Sequence, residues 1–271
     1  MKSMQYGVSP QWRVFGGNGD IQTSFDVAVI MPTVGRAEII QAVQSVYDQS
    51  GVDRIQLLIG VDKPVGEMGA LLEQLSNAPQ HVTTCFFYPG YSTSVRHGGL
   101  HLAQDGGVLR TTLTHLANAK YVAYLDDDNW WGSTHLSNLL LAVKGHDWAY
   151  SLRWFVHPET RKKICIDEWE SVGPGKGIFL QKFGGFVDTN CLIFNKLTCW
   201  KCVVLWNFPL NGDLSGMSTD RMVFNYLSKH GPPGETKCPS VFYVIQQNDC
   251  FHTMRVKKMG EQYTKAGLSP V

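Results

Sequence analysis

The chain has 271 residues, of which 44% are apolar and 17% charged, and its formal net charge is +1. Such a composition belongs to a folded globular protein with room for a substantial core, and a balance so near zero argues against nucleic acid or an anionic membrane surface as partner. No apolar run approaches the ~20 residues that span a bilayer, and the opening MKSMQYGVSPQWRVFGG lacks the apolar core of a secretory signal. A cytoplasmic location without a transmembrane segment is expected.

Residues 1–24 carry Gly16, Gly17 and Gly19 ahead of the first convincing strand. A dinucleotide-binding glycine fingerprint follows a strand, so this stretch reads as a mobile or draped segment. Residues 26–31, DVAVIM, form a β-branched run that Pro32-Thr33 ends. Over 37–47 the apolar positions 39, 40, 43, 46 and 47 line one helical face. Ile55–Val61 is a second strand, stopped by Asp62-Lys63-Pro64; 68–75 suits a helix and Val82–Tyr88 a third strand. A glycine-rich loop fills 89–107, and a helix over 108–118 feeds a fourth strand at 121–125. Strands alternating with helices predict an α/β fold with a mostly parallel central sheet flanked by helices. Ligands in such sheets gather at the carboxyl ends of the strands, where Pro32-Thr33, Asp62 and the triplet Asp126, Asp127 and Asp128 all fall.

Beyond Trp131 the pattern predicts a helix near 134–143, a strand at 148–155 with a hairpin partner at 163–167, and a flexible loop at 173–177. A strand over 184–194, a helix around 218–229 and a late strand at 241–245 follow. With no repeat, low-complexity tract or linker, the economical reading is a single domain in two functional halves, about 25–131 and 132–271. The seven cysteines, an odd count without a leader, argue for reduced thiols. Cys199 and Cys202 form a CxxC, but zinc would want a second pair; they read as buried thiols on a helix with Leu197, Trp200 and Val204.

The stretch 121–131, YVAYLDDDNWW, ends an apolar strand on three packed carboxylates that would repel one another where water is partly excluded. Side chains alternate along a strand, so Asp126 and Asp128 are expected on one side, roughly 6–7 Å apart. There they come within reach of one hard cation such as Mg2+ or Mn2+. A solvated acidic turn or a helix cap uses the same residues. Trp130, Trp131 and Trp154 offer aromatic faces and directional indole N–H groups of the kind that bind sugars.

VAVIMPTVGRAEIIQAVQSVYDQSGVDRIQLLIGVD resembles the opening of family 2 glycosyltransferases with the GT-A fold, and LRTTLTHLANAKYVAYLDDDNWW resembles their second block, a helix leading into an Asp-x-Asp strand. The likeness spans roughly residues 25–131 and is looser beyond. It implies a nucleotide-diphospho-sugar transferase fold and a hexosyltransferase type of activity that inverts the anomeric carbon. It also implies a UDP-type sugar donor, a carbohydrate or other hydroxyl acceptor, and Mn2+ or Mg2+ as cofactor.

By position, Pro32, Thr33 and Arg36 would lie beside the nucleotide, Asp62 would take a hydrogen bond from the base, and Asp126 and Asp127 would face the donor. Arg110, on a helix that Gly106-Gly107 open, would meet the diphosphate. Asp128 would hold the metal, with Asp126 close by and His252 as a further ligand. Trp130, Trp131, Asp188 and Asn190 would line the acceptor or sugar pocket. Asp220, in GDLSGMSTDRMVFNYL, matches the general base that opens a helix after a glycine-rich loop; Asp213 and Asp188 are reserves. Arg255, Lys257 and Lys258 would close a mobile lid over the phosphates. Two departures stand out: Asp62-Lys63-Pro64 replaces the family's Asp-Asp-Gly-Ser, and Thr219 stands where a Glu usually precedes the base. A sugar-phosphate nucleotidyltransferase would want a glycine-rich, Arg-containing loop after the first strand, which PTVGR fits poorly. A catalytically silent nucleotide-sugar-binding protein and a metal-bound structural domain are the remaining alternatives.

Overall fold

The computed structural model describes residues 10–17, 21–63, 68–213 and 218–268. Gly19, Pro64 and most of the glycine-rich segment ahead of Asp220 lie outside them. Twelve strands are described: β1 Gln11–Gly16, β2 Phe25–Thr33, β3 Ile55–Val61, β4 Val82–Tyr88, β5 Ala119–Tyr124, β6 Trp130–Trp131, β7 Trp148–Val156, β8 Lys163–Ile166, β9 Gly173–Pro174, β10 Gly185–Phe186, β11 Leu192–Asn195 and β12 Gly234–Val244. The helices are α1 Ile39–Tyr47, α2 Gly69–Ser76, α3 Gly107–Leu116, α4 His135–Ala142, α5 Leu180–Phe183, α6 Trp200–Val203, α7 Thr219–His230, α8 His252–Met259 and α9 Glu261–Gly267.

One large sheet runs β1-β4-β3-β2-β5-β11-β7-β12-β6, with β8 on the side of β7. Its centre, β4-β3-β2-β5, is parallel. Every residue of β3 is buried, as a strand covered on both faces requires. The antiparallel partners β11 and β1 extend this centre on its two sides. Because β7 is antiparallel to β11 and parallel to β12, the carboxyl ends of β2, β3, β5, β7 and β12 all emerge at one edge. The site is built there.

Three local readings differ from the structure. Residues 11–16 are not draped but pair with β4 in an unbroken antiparallel register. The 184–194 run is broken, because the Asp188 side chain accepts from the Asn190 N–H and turns the chain through a 3-10 segment before β11 starts; β10 pairs instead with β9, inside the expected 173–177 loop. Around α6 Cys199 and Cys202 are fully buried, as expected, but Leu197 and Trp200, read as their apolar companions, are 65% and 60% exposed. All seven cysteines are free.

The C-terminal helices are docked by charge. Arg153 on β7 is buried and donates to Asp167, Glu170 and Asp188 at 2.8, 2.9 and 2.7 Å. Arg255 on α8 takes both oxygens of Glu170, at 2.8 and 2.7 Å, and Asp249 at 2.9 Å. Arg255 is therefore a buried strut and not part of a lid, while Lys257 and Lys258 remain exposed. Removing one partner of a buried ion cluster strands the others without compensation. Arg153→Met is expected to lower stability by about 3–5 kcal/mol, measured by urea unfolding; a loss under 1 kcal/mol would show that the cluster is not dry.

Candidate functional site

β2 and β5 lie side by side, and both end at the site edge. The chain does not continue β5 through the aspartates: it turns, with the Asn129 N–H donating to the Asp126 carbonyl at 3.2 Å. The strand alternation expected for Asp126 and Asp128 is lost in that turn, and each carboxylate acquires its own partners. Asp127 accepts from the Thr33 hydroxyl at 2.6 Å and from Arg36 at 3.2 Å. The same Arg36 nitrogen reaches Asp128 at 3.1 Å, and Gln246, just past β12, adds a contact at 3.2 Å. Asp126 faces Arg110, whose Nη2 lies 2.5 Å from Oδ1.

Asn190 clamps Asp126 twice, accepting from its backbone N–H at 2.6 Å and donating to Oδ2 at 2.8 Å. The same amide nitrogen donates to Asp188 at 2.8 Å, and Asp188 is held by Arg153. Asn190 is fully buried. These two residues therefore brace the aspartate turn from below, and neither opens toward a sugar pocket.

Other expected contacts find different employment. Both carboxylate oxygens of Asp62 are engaged at 2.7 Å by Ser92 and Thr93, so Asp62 anchors the 89–94 loop. Pro32 packs against the opening of α3: a Cβ on Gly106, whose φ is +79°, would meet the Pro32 Cβ at 2.8 Å. A Cβ on Gly107 would collide with the Trp206 carbonyl, so this glycine pair serves close packing. Trp131 is buried, stacks on His135 and donates to the Asn190 carbonyl, which removes it from any pocket wall. Trp130 is half-buried between Phe242, at 5.2 Å, and the Arg161 guanidinium, at 4.6 Å from the ring centre. His252 opens α8 beside Tyr263, and its Nδ1 is buried without a partner among the described residues. The structure does not bring His252 together with Asp126 and Asp128: among the described residues, no group of three or more His, Cys, Asp or Glu converges as a metal site.

Asp220 stands in the first turn of α7. Its Oδ1 is buried without a hydrogen-bond partner among the described residues, and Arg221 approaches no nearer than 4.0 Å. Burial pushes its carboxyl up to about 7, Arg221 opposing and Asp105 and Asp188 adding to the rise. Sequence reasoning missed Asp105, which receives the Thr219 hydroxyl at 2.5 Å and is also raised by burial. A charged residue directly ahead of Gly106-Gly107 was the available signal. Ser92, Thr93 and Gln246 were missed too; nothing local marks them.

A divalent cation can be tested against this donor set. Asp126 already holds a close cationic and a neutral donor. Asp127 and Asp128 share one Arg36 nitrogen, at 3.2 and 3.1 Å, and burial raises both. Asp127 also accepts from the Thr33 hydroxyl at 2.6 Å, whereas Asp128, pushed up to about 7, has its nearest donors among the described residues at 3.1 and 3.2 Å. It suits a hard cation that binds through one or two carboxylates and fills its remaining positions with water and phosphate oxygens.

No protein-family model and no curated protein sequence matches this chain. Solved structures do. The chain is similar to S. aureus TarS at TM-score 0.58 and 12% identity, covering 90% of this chain and 40% of that one. TarS 1–349 in complex with UDP matches at 0.56 and 13%, over 90% of this chain and 67% of that one. The complex with UDP-GlcNAc matches at 0.58 and 11%, over 90% and 68%. Identity at this level carries the fold alone. The expected GT-A architecture, a largely parallel central sheet flanked by helices, is the one present.

The raised proton affinity of the Asp220 carboxyl has a consequence for stability. The folded protein keeps this proton to about pH 7, whereas the unfolded chain releases it near 3.8. Between those values folding binds a proton, so stability is highest on the acid side and falls as pH rises to 7. Asp220→Asn abolishes that fall, and the variant should gain about 1–3 kcal/mol on the parent between pH 4.5 and 8. Urea unfolding at both pH values measures it; a constant difference would mean the carboxyl titrates normally.

Proposed function

We propose that this chain is a glycosyltransferase that moves a sugar from a nucleoside-diphosphate sugar, of UDP type, to an acceptor hydroxyl with inversion, aided by Mn2+ or Mg2+. One observation carries the reading. A fold shared with a protein solved in complex with UDP and UDP-GlcNAc has, at the carboxyl edge of its sheet, three aspartates flanked by Arg36 and Arg110.

Arg36, 44% exposed at its side chain, is free to exchange part of its carboxylate contact for a phosphate oxygen. Arg110 is buried with its Nη1 unpartnered among the described residues, a charged donor available to a second oxygen. Asp128 would hold the cation, which when bound offsets negative charge gathering on the departing diphosphate. Thr33 and Asn190 keep Asp127 and Asp126 in register, so the site needs little rearrangement as charge develops. Asp220, poised near neutrality, takes the proton of the acceptor hydroxyl. The hydroxyl oxygen bonds to the anomeric carbon, and the bond to the diphosphate breaks with its electron pair. Asp62 would have to release Ser92 or Thr93 to contact a base, so nucleotide binding on this reading includes a shift of the 89–94 loop.

Thermal unfolding with UDP and UDP-GlcNAc, with and without Mn2+, tests the reading. A ligand at a hundred times its dissociation constant adds about 2.7 kcal/mol. The Mn2+-dependent part should grow from pH 6 to 8 as Asp128 loses its proton and vanish in Asp128→Asn. Stabilisation by cation without any nucleotide would favour a metal-bound structural domain. With a competent acceptor, Asp220→Asn should lower turnover by about 10²–10⁴-fold and leave donor binding intact. Undiminished turnover would remove Asp220 as base, and binding without transfer to any acceptor would favour a silent nucleotide-sugar binder.

A further inference from the structure

The loop at 89–106 joins β4 to α3, and because β4 runs parallel to β3 it leaves the sheet at the edge that carries the aspartates. Its surface is apolar where loops are usually polar. Leu100 is 94% exposed, Leu102 and Tyr91 are 68% and 67% exposed, and Val95 is exposed as well. Apolar residues scattered singly over a surface need no explanation, but several in one short loop do. The backbone of the loop closes on itself. The Gly99 and His97 N–H groups donate to the Ser94 carbonyl at 2.7 and 3.0 Å, and the Val95 and His101 N–H groups to the His101 and Thr93 carbonyls at 2.9 Å. Asp62 holds the base of the loop through Ser92 and Thr93 at 2.7 Å. A Cβ on Gly99 would lie 2.3 Å from the Ser92 carbonyl oxygen, so the chain doubles back as closely as a glycine permits. The loop is thus a braced projection with large apolar side chains standing in water. From 89 to 104 it has no acidic residue, and its ionisable groups are Arg96, His97 and His101.

We propose that this loop seats the protein on a lipid bilayer, with Leu100, Leu102, Val95 and Tyr91 entering the headgroup boundary and the basic side chains between them facing lipid phosphates. Each leucine gains by leaving water. Tyrosine suits the interface between headgroup and acyl chain, and cationic groups beside an apolar wedge complement a surface of negative charge. A second copy of this chain would bring the same positive loop, with no opposite charge to meet it. The net charge of +1 conceals this surface, because the acids that balance the chain lie outside residues 89–104. Bracing by Asp62 matters here, since a projection that is already ordered loses little freedom when it inserts. Seated in this way, the protein turns its aspartate edge toward the headgroups. The inference goes beyond the transferase reading and does not depend on it.

The test needs no substrate. The full chain is sedimented with vesicles of phosphatidylcholine alone and of phosphatidylcholine mixed with phosphatidylglycerol. It is expected to pellet with the mixed vesicles and less with phosphatidylcholine. The double variant Leu100→Ser/Leu102→Ser alters only exposed side chains, so it should keep the parent's circular dichroism and lose at least about tenfold in partition coefficient. Trp200→Ser, at the exposed apolar residue of α6, should bind as the parent does and serves as the control for general stickiness. Failure to pellet with either vesicle overturns the proposal. So does a leucine variant that binds like the parent, which would mark adsorption by charge alone, or a loss that appears in Trp200→Ser instead. Light scattering without lipid is expected to give a monomer. A dimer that the leucine variant dissociates would assign the loop to a second copy of the chain and overturn the bilayer.

Discussion

The site depends on uncompensated negative charge. Three consecutive carboxylates at the end of a buried strand meet two guanidiniums, Arg36 from the loop after β2 and Arg110 from α3. Neither arginine is a neighbour in sequence, so the triplet is tolerable only where the sheet brings β2, β5 and α3 together. The resulting deficit is unevenly shared. Asp126 is closely held by Arg110 and Asn190, while burial raises the proton affinity of both Asp127 and Asp128. Three carboxylates against two guanidiniums leave this edge one positive charge short.

The turn is stiffened from behind by a continuous series of polar contacts. Asp126 is clamped by Asn190, Asn190 by Asp188, Asp188 by Arg153, and Arg153 shares Glu170 with Arg255. Apart from Asp126, whose side chain is 32% exposed, each member is buried, where an unsatisfied group is costly. This explains why the second half of the chain, which contributes little to the parallel centre of the sheet, carries so many charged residues in its interior. Their task is to hold the aspartates at fixed directions against mutual repulsion.

Much of the scaffold was legible because it rests on local periodicity. The β-branched runs of β2, β3 and β4 and the one-sided apolar face of α1 identify themselves, and the chemistry falls at the edge where their order puts it. Three kinds of feature escaped. A side chain that caps its own backbone, as Asp188 does, interrupts a run that composition alone extends. Helix α6 is too short for its apolar residues to declare which side is buried. Most consequential are the pairings between residues far apart in sequence, such as Arg153 with Asp188 or Thr219 with Asp105. These decided that Asn190 and Asp188 brace the site and that Asp62 is bound by its neighbouring loop. No spacing rule encodes them.

The shared use of Glu170 has a bearing on how the chain is made. During synthesis β7 and its partners emerge from the ribosome well before α8. Until Arg255 arrives, Glu170 has only Arg153 as a partner, and the support beneath the aspartate turn is incomplete. The nascent chain can therefore assemble its parallel strands early, while the edge that carries the aspartates gains its full support only when α8 docks.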